Sequence, residues 1–162
     1  KRSCHEASIR IPLVACGPGF TGGQVVDHLV SLINVPPTIL GAAGLAKPEN
    51  WQGQPLQPLL RGEAEGWPEE VFVQISESQV GRALRTRRWK YGVDAPDRHG
   101  WEHMDSPIYV EQYLYDLAND PHERRNLAGD PAYRAVADEL AEALVRRMVM
   151  AGEAAPRIVK RG

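Results

Sequence analysis

Residues 99–103 read HGWEH, which places His99 and His103 four apart with Glu102 between them and Trp101 alongside. On a helix, two histidines at that spacing share a face and can hold a metal ion. Pro96, Gly100 and Pro107 argue instead for a loop, where the spacing fixes no geometry and no metal site is expected. Trp101, His99, His103 and Tyr109 suit recognition of a sugar or an aromatic group, since each offers an apolar ring with a polar handle. A surface loop without a role and an oligomer contact stay open as alternatives. A second group is the basic run Arg82, Arg85, Arg87, Arg88 and Lys90. Such a run can hold phosphate, but strand alternation sends these side chains to both faces of a hairpin. With a net charge of −2 the expectation is a solvated hairpin and no nucleic-acid partner. Near the start, Glu6 and Arg10 are expected to form a structural ion pair. Cys4 and Cys16 are expected as free thiols, because two cysteines make neither a disulfide framework nor a C-x-x-C metal site. Asp120-Pro121 with Glu123 and Asn126 reads as a turn held by side-chain to backbone bonds.

The elements that must position these residues are legible in outline. Residues 9–16 read IRIPLVAC, a short β-branched run ended by Gly17-Pro18-Gly19, and predict a buried strand. Residues 25–33 fit a strand or a short helix. Asn34-Val35-Pro36-Pro37 predicts a helix start with Asn34 as cap and proline in the first turn, and Gly44 a stop. Residues 46–68 are rich in Pro, Gly and Gln, yet Trp51, Leu56, Leu59 and Leu60 mark an ordered connection. Strands are predicted at 71–75, 80–86, 89–93 and 113–117, the middle pair joined by a tight turn at Arg87 and Arg88. The polar stretch 94–111 is long enough to be a functional loop. Asp130 and Pro131 predict the start of a final helix whose Tyr133, Val136, Ala137, Leu140, Leu144 and Met148 form one apolar stripe, with Gly152 beyond its end. The expectation is a four-stranded antiparallel sheet covered by a long helix, an α+β unit at 51–162. Residues 1–50 then supply a strand and a helix at the edge of a larger sheet. No run is long and apolar enough to suggest a membrane span, and no signal peptide is visible after Lys1.

Four stretches, in this order, resemble the sulfatase family of the alkaline phosphatase superfamily. Residues 1–12, KRSCHEASIRIP, are similar to the family's K-x-x-x-[YF]-E-x-[SG]-x-R-x-P segment. Residues 30–44, VSLINVPPTILGAAG, are similar to VSLxDLxPTLLxLAG, with Asn34 in place of the common Asp. Residues 82–91, RALRTRRWKY, resemble RAVRTxRYKY, and residues 113–127, YLYDLANDPHERRNL, resemble LYDLxxDPxExxNL. The resemblance implies an alkaline phosphatase-like α/β fold, of which this is the carboxy-terminal part, and hydrolysis of an organic sulfate ester. It also implies a formylglycine nucleophile, made from the Cys or Ser of a C/S-x-P-x-R motif, and a calcium ion. Neither is supplied here: Cys16 has Pro18 at the right offset but Phe20 where arginine is required, and Cys4 is followed by His5-Glu6-Ala7-Ser8. Both are expected upstream, in an amino-terminal part that would be this chain's partner, and no residue of the chain itself is expected to be catalytic.

The resemblance assigns Lys1 to contact with the substrate sulfate, a role suited to a compact ammonium with three donors. His5 stands where the family usually has an aromatic residue, either as a donor to the pocket or as packing. The implied substrate-binding set is therefore Lys1, His5, His99, Trp101 and His103. A phosphonate monoester hydrolase or phosphodiesterase of the same superfamily, and a non-catalytic recognition or oligomerisation module, are the alternative readings. The family leans to periplasmic, secreted or lysosomal placement, with cytoplasmic placement open as well, and a homo-oligomer is left open.

Overall fold

The computed structural model describes residues 2–161. The chain forms two compact units, Pro12–Val71 and a larger one made of residues 1–11 and 72–162. The boundary expected at residue 50 falls inside the first of them.

The larger unit is built on a five-stranded sheet, in the order β1 (Glu70–Ser76), β2 (Val80–Thr86), β3 (Trp89–Asp94), β4 (Ile108–Asp116) and β5 (Arg157–Val159). β2, β3 and β4 are antiparallel neighbours, whereas β5 runs parallel to β4. The sheet is therefore mixed and has five strands, not the four expected. A three-residue strand after the last helix carries too little pattern to be read from sequence.

Helix α4 (Arg134–Met150) follows a 3-10 turn at Pro131–Tyr133, where the Asp130 carboxylate accepts the Ala132 N–H at 3.0 Å. The expected stripe is the one that packs. Ala137, Leu140, Ala143, Leu144 and Met148 are buried against Val80, Leu84, Tyr91, Val93 and Leu114 of the sheet, with Tyr133 and Val136 at the margin. A second residue opposes the ladder at Gln112, because Gly92 pairs with Tyr113 but Val93 pairs with Glu111. This bulge shifts the alternation of β4 by one. Glu111 and Leu114 consequently share the α4 face, while Tyr113 and Tyr115 face the other way.

That other face is covered too. Residues 2–9, including the short helix α1 (Glu6–Ile9), lie over it, with Cys4 buried there. Residues 9–16 are not a strand as expected. Ile9 ends α1, and the run beyond it has no ladder partner among the described residues, which leaves Ile11, Leu13 and Val14 exposed. Pro12 lacks an N–H to offer a neighbouring strand in any case.

In the smaller unit, residues 25–31 adopt neither a strand nor a helix. A 3-10 turn at Leu32–Asn34 leads into α2 (Val35–Ala42), with Pro36 and Pro37 in its first turn and Gly44 left-handed beyond it at φ 71°. Asn34 does not cap α2 with its side chain. Its Oδ1 accepts the Ser31 N–H at 2.8 Å and its Nδ2 donates to Gln54 O at 3.0 Å. Thr38 Oγ1 accepts the Leu56 N–H at 3.0 Å, so α2 holds the chain entering α3 (Gln57–Leu60). Leu56, Leu59 and Trp67 form a small core there, which bears out an ordered connection. No helix among the described residues is long and apolar enough to cross a membrane.

Candidate functional site

Lys1, the expected sulfate ligand, lies outside the described residues. The segment that follows it is fastened to the sheet by ion pairs and ring packing. Register places Lys90 opposite both Arg85 and Tyr115, and Gly92 opposite both Ala83 and Tyr113. These two rows form the sheet face that residues 2–9 cover. Lys90 is 0% exposed. Its ammonium lies 2.5 Å from Glu123 Oε1 and 2.8 Å from Glu6 Oε1, while Arg85 Nη2 lies 3.3 Å from Glu6 Oε2. Glu123 also accepts the Glu6 backbone N–H at 2.7 Å. Two cations and two carboxylates thus close a neutral set around the buried Lys90 ammonium, the arrangement in which taking a charge out of water is compensated. Burial alone would raise the Glu6 carboxyl, but bonds from Lys90 and then Arg85 outweigh it and hold the group below the usual carboxylate range.

Local sequence explains how Glu123 gets there. It adopts a left-handed conformation at φ 55° in the turn that Asp120 opens by accepting the Arg125 N–H at 2.8 Å. Asn126 Oδ1 accepts the N–H groups of Leu114 and Ala128, both at 3.0 Å, and ties the turn back to β4. The expected side-chain-held turn is present, and it also delivers a buried carboxylate to Lys90.

The hairpin's basic run is solvated as expected at Arg87 and Arg88, which are exposed, but not at its two ends. Lys90 and Arg82 are buried, at 0% and 2% exposure. Alternation assigns residues to faces correctly, but here both faces are covered, which a sequence pattern does not reveal. Glu6 pairs with Lys90 and Arg85 and not with Arg10, which is exposed.

His5 packs against Tyr113 and Tyr115, with ring centroids 4.9 and 5.8 Å apart and Nε2 3.5 Å from the Tyr115 hydroxyl. The Tyr113 ring lies directly over Gly92, where an added Cβ would come within 2.2 Å of it. Burial pushes up the Tyr113 phenol, and it also raises the Cys4 thiol that bonds to that phenol. Cys4 is therefore held as a thiol, a poor nucleophile. Cys16 is exposed, and both cysteines are free. Among the described residues no group of three or more His, Cys, Asp or Glu is arranged to hold a metal ion. The side chains present do not fit a formylglycine or a calcium centre.

The loop between β3 and β4 covers residues 95–107. Glu111, expected in the loop, is a buried β4 residue whose carboxylate receives Arg134 Nη2 at 2.7 Å. His99, Trp101 and His103 sit together on one turn, in which His99 O accepts the N–H groups of Glu102 and His103 at 3.0 and 2.9 Å. Trp101 is 73% exposed and Met104 80%. His5 packs on Tyr113 and Tyr115, not on the histidines or the tryptophan of this loop.

Residues 1–149 match the family model described as N-sulphoglucosamine sulphohydrolase, C-terminal. The chain belongs to the sulfatase family. It is 33% identical over 138 residues to arylsulfatase K of Canis lupus familiaris, covering 79% of this chain and 24% of that protein. It is 32% identical over 149 residues to the delta 4,5-hexuronate-2-O-sulfatase of Bacteroides thetaiotaomicron, covering 85% of this chain and 28% of that one. Among solved structures, a 2-O GAG sulfatase superposes with a TM-score of 0.65 at 29% identity, over 84% of this chain and 29% of the other. The chain thus spans about a quarter of the length of the relatives it matches. Its fold is that of the carboxy-terminal part of an alkaline phosphatase-like sulfatase.

Proposed function

We propose that this chain is the carboxy-terminal portion of a sulfatase that hydrolyses a sulfate ester of a saccharide to an alcohol and inorganic sulfate. The family match over residues 1–149 carries this reading. The saccharide class is supported by the uronate and GAG specificities named for two of the similar proteins. In this reading the formylglycine and the calcium ion are held by sequence upstream of these residues. When bound there, the two groups would supply the nucleophile and the charge stabilisation that the side chains of this chain do not.

This chain's own contribution is to contact the substrate and to hold the segments that do so in place. Lys1 directs its ammonium to a sulfate oxygen and to charge developing on the leaving oxygen. The Glu6–Lys90–Glu123 set fixes the backbone only a few residues further on, which makes the segment's entry stiff. Trp101, with His99 and His103 at its sides, offers a ring face to the sugar.

The test compares the full-length protein containing these residues with residues 1–162 alone, on 4-nitrophenyl sulfate. The full-length protein is expected to release 4-nitrophenol and the 162-residue chain to release none. In the full-length protein, Lys1→Ala is expected to lower kcat about 100-fold or more, the range seen on loss of one group that stabilises transition-state charge. Turnover by the 162 residues alone would defeat the reading.

A further inference from the structure

Arg82 is a buried arginine on the α4 face of β2, and nearly all of its donors are used. Its Nε bonds Glu153 Oε1 at 2.6 Å. Its Nη1 bonds the carbonyls of Ile75 at 3.1 Å and Gly81 at 2.9 Å. Its Nη2 reaches Met104 O at 2.6 Å. The last bond holds the 95–107 loop. Met104 O is gripped a second time by Ser76 Oγ at 2.5 Å. Two residues on, the Ser106 N–H donates to the Tyr109 hydroxyl at 3.1 Å. That hydroxyl is 3.5 Å from Glu153 Oε2, and the Arg82 guanidinium lies 5.7 Å from the Tyr109 ring centre. On the other flank, a Cβ on Gly100 would come within 2.3 Å of Glu77 O, so the turn carrying Trp101 lies directly on the β1–β2 connection. A loop gripped this firmly nonetheless turns Trp101 and Met104 outward at 73% and 80% exposure. The grip orders the loop without burying its large apolar side chains.

We propose that Arg82 is the positioning residue that sets the shape of the 95–107 loop, and through Trp101 the selectivity of the enzyme for a saccharide over a small aryl sulfate. This rests on the reading above that the loop faces the substrate. Arg82 touches no substrate in this scheme. Its planar fork serves the carboxylate of Glu153 and the Met104 carbonyl at once, which a lysine ammonium cannot reproduce.

The test uses the full-length protein with Arg82→Lys, Ser76→Ala and Trp101→Ala, assayed on a sulfated uronate disaccharide and on 4-nitrophenyl sulfate. Trp101→Ala is expected to raise KM for the disaccharide by about threefold to tenfold, the size of one aromatic contact, and to raise KM for the aryl sulfate by distinctly less. Arg82→Lys should reproduce that split and speed amide exchange across residues 95–107. Ser76→Ala removes the milder grip on the same carbonyl, so it gives the same pattern more weakly if Arg82→Lys fails to fold. Equal losses on both substrates, or unchanged exchange in the loop, would overturn the positioning role. An unchanged disaccharide KM in Trp101→Ala would overturn the substrate-facing reading itself, and the exchange measurement then separately decides whether Arg82 shapes the loop.

Discussion

Lys90 is the residue on which the amino-terminal segment depends. Replacing it with methionine would take the ammonium from between the Glu6 and Glu123 carboxylates, with Arg85 still paired to Glu6. Breaking such a set from one side costs about 3–5 kcal/mol, and urea unfolding should show it. Pairing Lys90→Met with Glu123→Gln should recover part of that loss. Glu6 gives the set a pH dependence. Its carboxyl is depressed in the folded protein, so its contribution is fully present above the ordinary value of 4.5 and is lost as pH falls through the folded value. The stability gap between the native chain and Glu6→Gln should therefore be widest near neutrality and close in acid below pH 4.5. Gly92→Ala should destabilise by about 1–3 kcal/mol through overpacking against Tyr113, read from the same unfolding curves. At this scale the sequence was only half legible. The strand pattern puts Arg82 and Lys90 on opposite faces correctly, yet a basic pair in a hairpin looks solvated until one knows that α4 covers one face and residues 2–9 the other. Glu6 reads as half of an ion pair, but its partners, Arg85 and Lys90, lie about eighty residues away, where no local spacing can point.

The elements separate according to how much of their stability is local. α4 was legible because capping, the first-turn proline and a sustained apolar stripe agree. Leu144, fully buried on that stripe, should cost about 2–5 kcal/mol on truncation to alanine, measurable as a fall in the denaturant midpoint. β2 and β3 were read almost to the residue, since a two-residue turn and strong alternation fix both ends. β4 was read short, because the Gln112 bulge interrupts the alternation on which the reading rests. Residues 9–16 have the composition of a strand but no ladder partner among the described residues, and a strand is defined by its partner.

For the molecule as a whole, family membership was the most legible property, because four short motifs in fixed order constrain far more than any one of them. The candidate site was the least legible. Its expected sulfate contact is a single lysine at the first position, and its loop is tied down by Arg82, Ser76 and Tyr109, which come from separate strands. Substrate class follows from neither composition nor fold. The measurement that bears most directly on the account is therefore hydrolysis by the full-length protein of a 2-O-sulfated uronate disaccharide, set beside the same disaccharide carrying phosphate, with the released anion quantified. Sulfate release in clear preference to phosphate release, lost in Lys1→Ala, is the expected result. Preference for the phosphate ester, or sulfate release undiminished in Lys1→Ala, would contradict it.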